Sequence, residues 1–236
     1  MAGEGKRKLR QSVRILTGVI TLVLLLAFSS VFYKQNHKFS YGEHLDDAVL
    51  TLSGQTVTLR EFGYYIYEVE AYTQEQALKY NATDPLDYWN THFSAGMDSQ
   101  FISEIARDTA INTCIGDLVY ADMAGREGRS LTEQEEQQIQ KEAGDWIRGL
   151  SKEQKEVLGI EEDLVCEILK RKKLAKDFAY EYSGRADLTG YSGDVTELLS
   201  GGGDYFNDHL LSRYELKKNE KLIGQISFGR ITVNRD

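Results

Sequence analysis

The 236 residues carry 41% apolar and 28% charged side chains, with a formal net charge of −9. That is enough apolar content for a buried core in one or two domains, and it excludes a chain disordered throughout. One proline and two cysteines exclude a proline-rich linker protein, a disulfide-dense scaffold and a four-cysteine zinc module, and favour long helices.

The charge is unevenly spread. Residues 1–38 hold Lys6, Arg7, Lys8, Arg10, Arg14, Lys34 and Lys38 against Glu4, a net of +6, which leaves −15 for the remainder. So acidic a body lacks the basic face that phosphate binding needs, and nucleic acid is excluded as a partner. The basic cluster of residues 1–14 instead precedes 19 uncharged residues, Ile15 to Tyr33. At the helical rise these span roughly 28 Å, close to the hydrocarbon thickness of a bilayer. Residues 15–33 are therefore expected to be a transmembrane signal anchor with residues 1–14 cytoplasmic and the body extracytoplasmic. The competing reading is a signal peptide cleaved near Ala27-Phe28-Ser29, giving a secreted protein. No cysteine follows the apolar run to take a lipid.

Residues 34–47 are polar and read as a juxtamembrane linker. Ala48–Leu52 and Gln55–Thr58 alternate apolar and polar side chains around Ser53-Gly54, the pattern of a hairpin. Thr58-Leu-Arg-Glu61 has the form of a capping box and opens a helix expected over Leu59 to Tyr80. Asp84-Pro85 starts a short element carrying Trp89 and Phe93. A long helix is expected from Ser99 to Ala124, ended by Gly125 and Gly128. Thr132-Glu-Gln-Glu135 and Ser151-Lys-Glu-Gln154 repeat the capping-box form. The first opens a very polar helix to Ile147, expected at an edge of the fold; the second opens a short helix closed by Gly159. A last long helix runs from Glu161 to Tyr182, and its Lys170-Arg-Lys-Lys173 run reads as a solvated face. Residues 183–203 contain six glycines in 21 positions and read as a flexible connector. A short helix over Asp204–Tyr214 follows. Ile226, Phe228, Ile231 and Val233 then suggest a terminal strand, with Gly229 at a bulge, that would add to the hairpin. The expected fold is mainly α, with a small antiparallel sheet made from the two ends of a helical ectodomain.

The chemistry-bearing residues are sparse. His37, His44, His92 and His209 are scattered without an HExxH or an i, i+4 pair, so no metal site is expected. Gly190-Tyr-Ser-Gly-Asp194 imitates a nucleophile elbow but has Asp194 where the last glycine belongs and lacks a strand–turn–helix context. Gly201–Gly203 lacks the lysine of a phosphate loop. Cys114 and Cys166 both fall on apolar helix stripes; small buried side chains, a disulfide between helices and, last, a reactive thiol are all open readings. No catalytic residue, metal or cofactor is assigned, and an enzyme is not expected. The unusual feature is 14 tyrosines. Tyr64 and Tyr67 share one helix face and Tyr65 and Tyr72 another. Exposed aromatics with polar tips suit sequence-tolerant binding of apolar peptide segments. Tyr64, Tyr67, Tyr72, Trp89 and Phe93 are the candidate peptide-binding residues; packing against a neighbouring helix or sheet is the alternative for the tyrosines.

The order of elements carries a resemblance. An anchor is followed by the strand-forming Val49-Leu-Thr-Leu-Ser-Gly-Gln-Thr-Val-Thr-Leu-Arg-Glu-Phe62, a tyrosine-rich helix, Tyr88-Trp89 and a long helix. Then come Ala124-Gly-Arg-Glu-Gly-Arg-Ser-Leu-Thr-Glu-Gln-Glu135, Leu158-Gly-Ile160 and the final helix. Over residues 48–182 this resembles the N-terminal chaperone domain of the SurA/PrsA group of extracytoplasmic foldases, related to the peptide-binding part of trigger factor. The resemblance implies an extracytoplasmic module that cradles unfolded or secreted polypeptides. In that group a parvulin-type prolyl isomerase domain is usually inserted where residues 183–203 stand, and 21 residues are too few to hold one. Residues 204–236 would be the closing helix and strand. The resemblance therefore implies a chaperone without isomerase activity. A dedicated interaction subunit of a cell-envelope complex is the first alternative, and an isomerase relative with residual activity the second.

Overall fold

The structure, a computed structural model, describes residues 39–93 and 99–235. The expected anchor, residues 15–33, lies outside the described residues, and no helix among those described is long and apolar enough to cross a membrane. The hairpin forms as its pattern dictates. Strands β1 (Ala48–Leu52) and β2 (Gln55–Thr58) pair antiparallel. They are joined by Ser53 and Gly54, both at positive φ, the geometry of a turn whose twist matches the strands. An irregularity between Ala48 and Leu50 breaks strict alternation, so Val49 and Leu50 are both buried.

Helix α1 (Leu59–Tyr80) begins at Thr58, whose hydroxyl accepts from the Glu61 amide. Short α2 (Pro85–Trp89) follows, with proline at its first position, where the missing N–H costs nothing. A two-stranded ribbon, β3 (His92–Phe93) and β4 (Gln100–Phe101), leads into the long α3 (Ile102–Arg126). Then come α4 (Glu133–Gly149), α5 (Lys152–Leu158) and α6 (Glu162–Ser183). The reciprocal hydrogen bonds of both remaining capping boxes are present at Thr132/Glu135 and Ser151/Gln154. Helices α3 and α6 pack together, with α1 against α3 and α4 against α6. Phe62 and Ile66 of α1, Cys114, Leu118 and Val119 of α3, and Ile168 and Phe178 of α6 fill the core between them. Burying each such apolar side chain is worth about 1.5–3 kcal/mol. The mainly helical expectation with a small antiparallel sheet holds. The span Tyr41–Asp236 is one compact unit with this core inside it.

Five expectations are corrected. The linker does not reach residue 47: Tyr41–His44 is a buried-edged 3-10 turn, and the Tyr41 hydroxyl donates to Leu59 O at 3.1 Å. The third strand is not Ile226–Val233. It is β5 (Leu216–Lys218), which pairs with β1 to give the order β2-β1-β5, and short α8 (Glu220–Ile223) follows it. Residues 226–233 bury Ile226, Phe228 and Ile231 as irregular chain threading through the fold, without pairing to a strand.

The connector is not a loose tether. It holds α7 (Val195–Leu199), whose Leu198 and Leu199 are buried in a cluster with Tyr205. Its glycines press on α3, where a Cβ on Gly201 would stand 1.9 Å from the Asn112 carbonyl oxygen. Tyr120 of α3 fastens the same stretch by donating to Leu199 O at 2.6 Å. The helix expected after it changes character, running through a π turn at Phe206–Leu210 into a 3-10 turn at Leu211–Arg213.

Lys170–Lys173 is not a solvated face. Arg171 reaches Glu61 of α1 at 2.6 Å and the Tyr65 hydroxyl at 3.2 Å, with only 14% and 13% of the two charged side chains exposed. Lys172 reaches Asp117 of α3 at 3.4 Å, and Lys173 reaches Glu135 of α4 at 2.9 Å. The run therefore ties α6 to three other helices; only Lys170, paired with Glu167, fits the expected role.

Candidate functional site

A cleft of about 880 Å³ lies where α4 and α6 face each other beside α3. The helical period makes it. On α6, Leu169, Lys172, Lys173 and Lys176 fall at i, i+3, i+4 and i+7 and share one face. On α4, Glu135, Gln138, Ile139 and Glu142 do the same. Ile139 and Leu169 contribute the apolar floor, and charged and amide side chains on longer stems form the walls. Asp117 of α3 closes one end. The walls carry both signs of charge. Lys172 and Lys173 are held by acidic partners, while Lys176 is exposed and forms no ion pair among the described residues.

Glu135 couples the cleft to the start of α4. Its carboxylate accepts from the Thr132 amide at 2.9 Å and pairs with Lys173. The Thr132 amide, with Lys173 behind it, holds the Glu135 carboxyl down at about 2. A carboxyl depressed in the fold contributes stability that is present above its unfolded value and is lost as pH falls toward the folded one. The expected result is a Glu135 side-chain titration by carbon-detected NMR with its midpoint near 2, moving up in Lys173→Met, which removes the ammonium partner, and moving less in Thr132→Ala, which removes the hydroxyl donor but keeps the amide. An unshifted Lys173→Met titration would refute the contribution of that ion pair.

At the Asp117 end the cleft meets an aromatic cluster. The Lys172 ammonium lies 5.5 Å from the Tyr64 ring centre and 5.2 Å from that of Tyr65. Tyr64 stacks on Trp146 of α4 at 5.1 Å, and Tyr67 meets the same indole edge-on at 5.1 Å. Burial pushes the Asp117 carboxyl up, and the Lys172 and Arg171 charges and the Tyr65 hydroxyl pull it back down. Burial likewise raises the Tyr64 phenol well above its ordinary range.

The five candidate residues do not form one surface. Tyr64 is 3% exposed and serves as a wall behind Lys172, with half-buried Tyr67 beside it against Trp146. Trp89 is 1% exposed and covered by the C-terminal segment, away from the cleft. Tyr72 and Phe93 are open, at 69% and 59% exposure, but away from the cleft. Tyr72 sits eight residues along α1 from Tyr64, about 12 Å by the helical rise. Phe93 stands on the β3–β4 ribbon. Sequence reasoning missed Trp146, Leu169, Lys172, Lys173 and Lys176. The i, i+3, i+4, i+7 spacing on α6 was the available signal, obscured by reading four consecutive cations as one exposed run.

The arrangement offers hydrogen-bond donors and acceptors on mobile stems around an apolar strip. It suits non-covalent capture of chain with both polar backbone and apolar side chains. Cys114 and Cys166 are free and buried, and burial raises both thiols, which keeps them unreactive. Among the described residues no cluster of His, Cys, Asp or Glu is arranged to hold a metal ion. Comparison of the chain with protein-family models, with curated proteins and with solved structures gives no match.

Proposed function

We propose that this chain is a membrane-anchored, extracytoplasmic chaperone-like protein that holds unfolded or secreted polypeptides without covalent chemistry. The observation that carries the reading is the α4–α6 cleft, with Ile139 and Leu169 beneath walls of glutamine, glutamate and lysine. An extended client segment would place apolar side chains on that floor. Its amides and carbonyls would meet side chains able to donate or accept. Binding of this kind is weak per contact and tolerant of sequence, as a holding function requires. The apolar run of residues 15–33 behind its basic cluster would keep the cleft close to an outer membrane face, where newly translocated chain emerges.

The test is a labelled, permanently unfolded client titrated with residues 39–236 and followed by fluorescence anisotropy. Leu169→Gln combined with Lys176→Glu is expected to weaken binding about tenfold, or 1.4 kcal/mol, with unchanged circular dichroism. Tyr72→Ala combined with Phe93→Ala is expected to leave binding within twofold. The reverse pattern would move the site off the cleft.

One observation favours a second reading, a dedicated interaction subunit. Tyr72, Tyr80 and Phe93 expose large aromatic area on α1 and the ribbon, outside the cleft. That reading predicts one partner at fixed stoichiometry, lost in the Tyr72→Ala, Phe93→Ala variant, rather than many substoichiometric clients.

A further inference from the structure

The C-terminal segment is held in an unusual way. After α8 it forms no helix or strand, yet Ile226, Phe228 and Ile231 are buried while Ser227 and Arg230 face solvent. The groove that receives it is lined by α1, α2 and α5. At its centre is Glu70 of α1, fully buried. All four hydrogen bonds to the Glu70 carboxylate come from the segment: Gly229 N at 2.6 Å, Ile231 N at 3.2 Å, Thr232 N at 2.6 Å and Thr232 Oγ1 at 2.6 Å. A carboxylate in a helix interior is costly unless donors surround it, and among the described residues they all come from this segment. Main-chain N–H groups of a turn converging on an anion form a concavity that holds a carboxylate.

Three further contacts read the segment. Gly229 lies against the Trp89 indole at φ +87°, and a Cβ there would stand 2.6 Å from Trp89 Cδ2, so only glycine fits. Gln74 exchanges hydrogen bonds with Asn234, at 2.8 and 3.0 Å, while also accepting from the Trp89 indole at 2.9 Å. Gln154 of α5 donates to Thr232 O at 3.0 Å. The fit is that of a seated ligand rather than an interlocked core element. A space of about 270 Å³ remains between Ile226 and Phe228 on one side and Leu86, Trp89 and Arg107 on the other.

We infer that Glu70, Gln74, Trp89 and Gln154 form a recognition site for a turn-forming peptide of the pattern aromatic-Gly-x-aliphatic-Thr, and that residues 226–234 are its resident ligand, exchangeable with the same segment of a second copy. The site reads backbone amides through Glu70, a bare α-carbon through Trp89 and a β-hydroxyl through Glu70. It is separate from the α4–α6 cleft and does not depend on the function assigned to that cleft.

The test uses the full chain in detergent micelles and a fluorescent peptide of residues 225–236. Gly229→Val prevents the chain's own segment from seating against Trp89 while leaving the groove residues in place. This variant is expected to bind the peptide saturably and at least tenfold more tightly than the wild type, whose site is filled. Adding Glu70→Gln, which puts a donor where the amides need an acceptor, is expected to abolish the gain. No binding by a Gly229→Val chain with wild-type circular dichroism, or equal binding by the double variant, overturns the inference. Should Gly229→Val fail to fold, hydrogen exchange on the wild type decides. Amides 229, 231 and 232 are expected to exchange at least tenfold faster than those of Leu118 and Val119. Exchange at the rate of the α3 core would make the segment an inseparable part of the fold and refute exchangeability.

Discussion

Replacing Arg171 by alanine is expected to cost about 3–5 kcal/mol of stability in a urea melt of residues 39–236, a large part of the roughly 5–15 kcal/mol that holds a domain of this kind together. The reason is what remains behind. Arg171 sits between the Glu61 carboxylate and the Tyr65 hydroxyl, where α1 and α6 approach. Its removal leaves Glu61 charged, mostly desolvated and without its cation. The favourable Coulomb energy of the pair is largely offset by the cost of burying it, so the pair itself adds little; breaking it is what is expensive. Two contrasts follow. Glu61→Leu combined with Arg171→Met, which removes both charges and keeps the volume, is expected to recover to within about 1–2 kcal/mol of wild type. Lys170→Ala, at an exposed pair in the adjacent position, is expected to cost less than about 0.5 kcal/mol. A mild Arg171→Ala would mean that this contact is not shielded from water.

Gly201→Val is the second large effect. Its Cβ would fall 1.9 Å from the Asn112 oxygen, 2.8 Å from the Asn112 carbonyl carbon and 3.1 Å from the Gly116 nitrogen. All three are backbone atoms of α3, so no side-chain rotation relieves the clash. Either the connector lifts off or α3 bends. The expected loss is about 3 kcal/mol, or about 10 °C in melting temperature for a chain of this size. Gly184→Ala in the same connector, at ordinary helical φ with its nearest contact at 3.6 Å, is expected to be neutral or slightly stabilising. A flexible tether would tolerate both changes equally.

These two sites mark where the chain could and could not be read from its residues. Capping boxes are local, and the helices they open at Leu59, Glu133 and Lys152 are where the threonine and serine oxygens place them. The hairpin is equally local. What failed depends on tertiary partners. The glycines of residues 183–203 look the same in sequence whether they permit motion or permit contact; only Asn112 and Gly116 on the facing helix decide. The run Lys170–Lys173 looks solvated until Glu61, Asp117 and Glu135, each from another helix, are set opposite it. Leu216–Lys218 offers no apolar alternation because it edges the sheet with two exposed lysines. Ile226, Phe228 and Ile231 look strand-like in sequence, but a groove and not a sheet takes their side chains. The tyrosine assignment failed for a related reason. Helix α1 is covered on several sides, by α3, by Trp146 and by the C-terminal segment, so adjacent Tyr64 and Tyr65 are both inside. Of the α4–α6 cleft only Glu135 was legible, and as a capping residue.

The claim that matters most is polypeptide holding, and suppression of aggregation tests it directly. Residues 39–236, confirmed as folded by circular dichroism, would be titrated into a client diluted from denaturant, with light scattering as the readout. Scattering is expected to fall progressively and to vanish near one chain per client, and the Leu169→Gln, Lys176→Glu variant is expected to need about ten times more protein. Undiminished scattering at a several-fold excess of folded wild-type protein would contradict the chaperone reading.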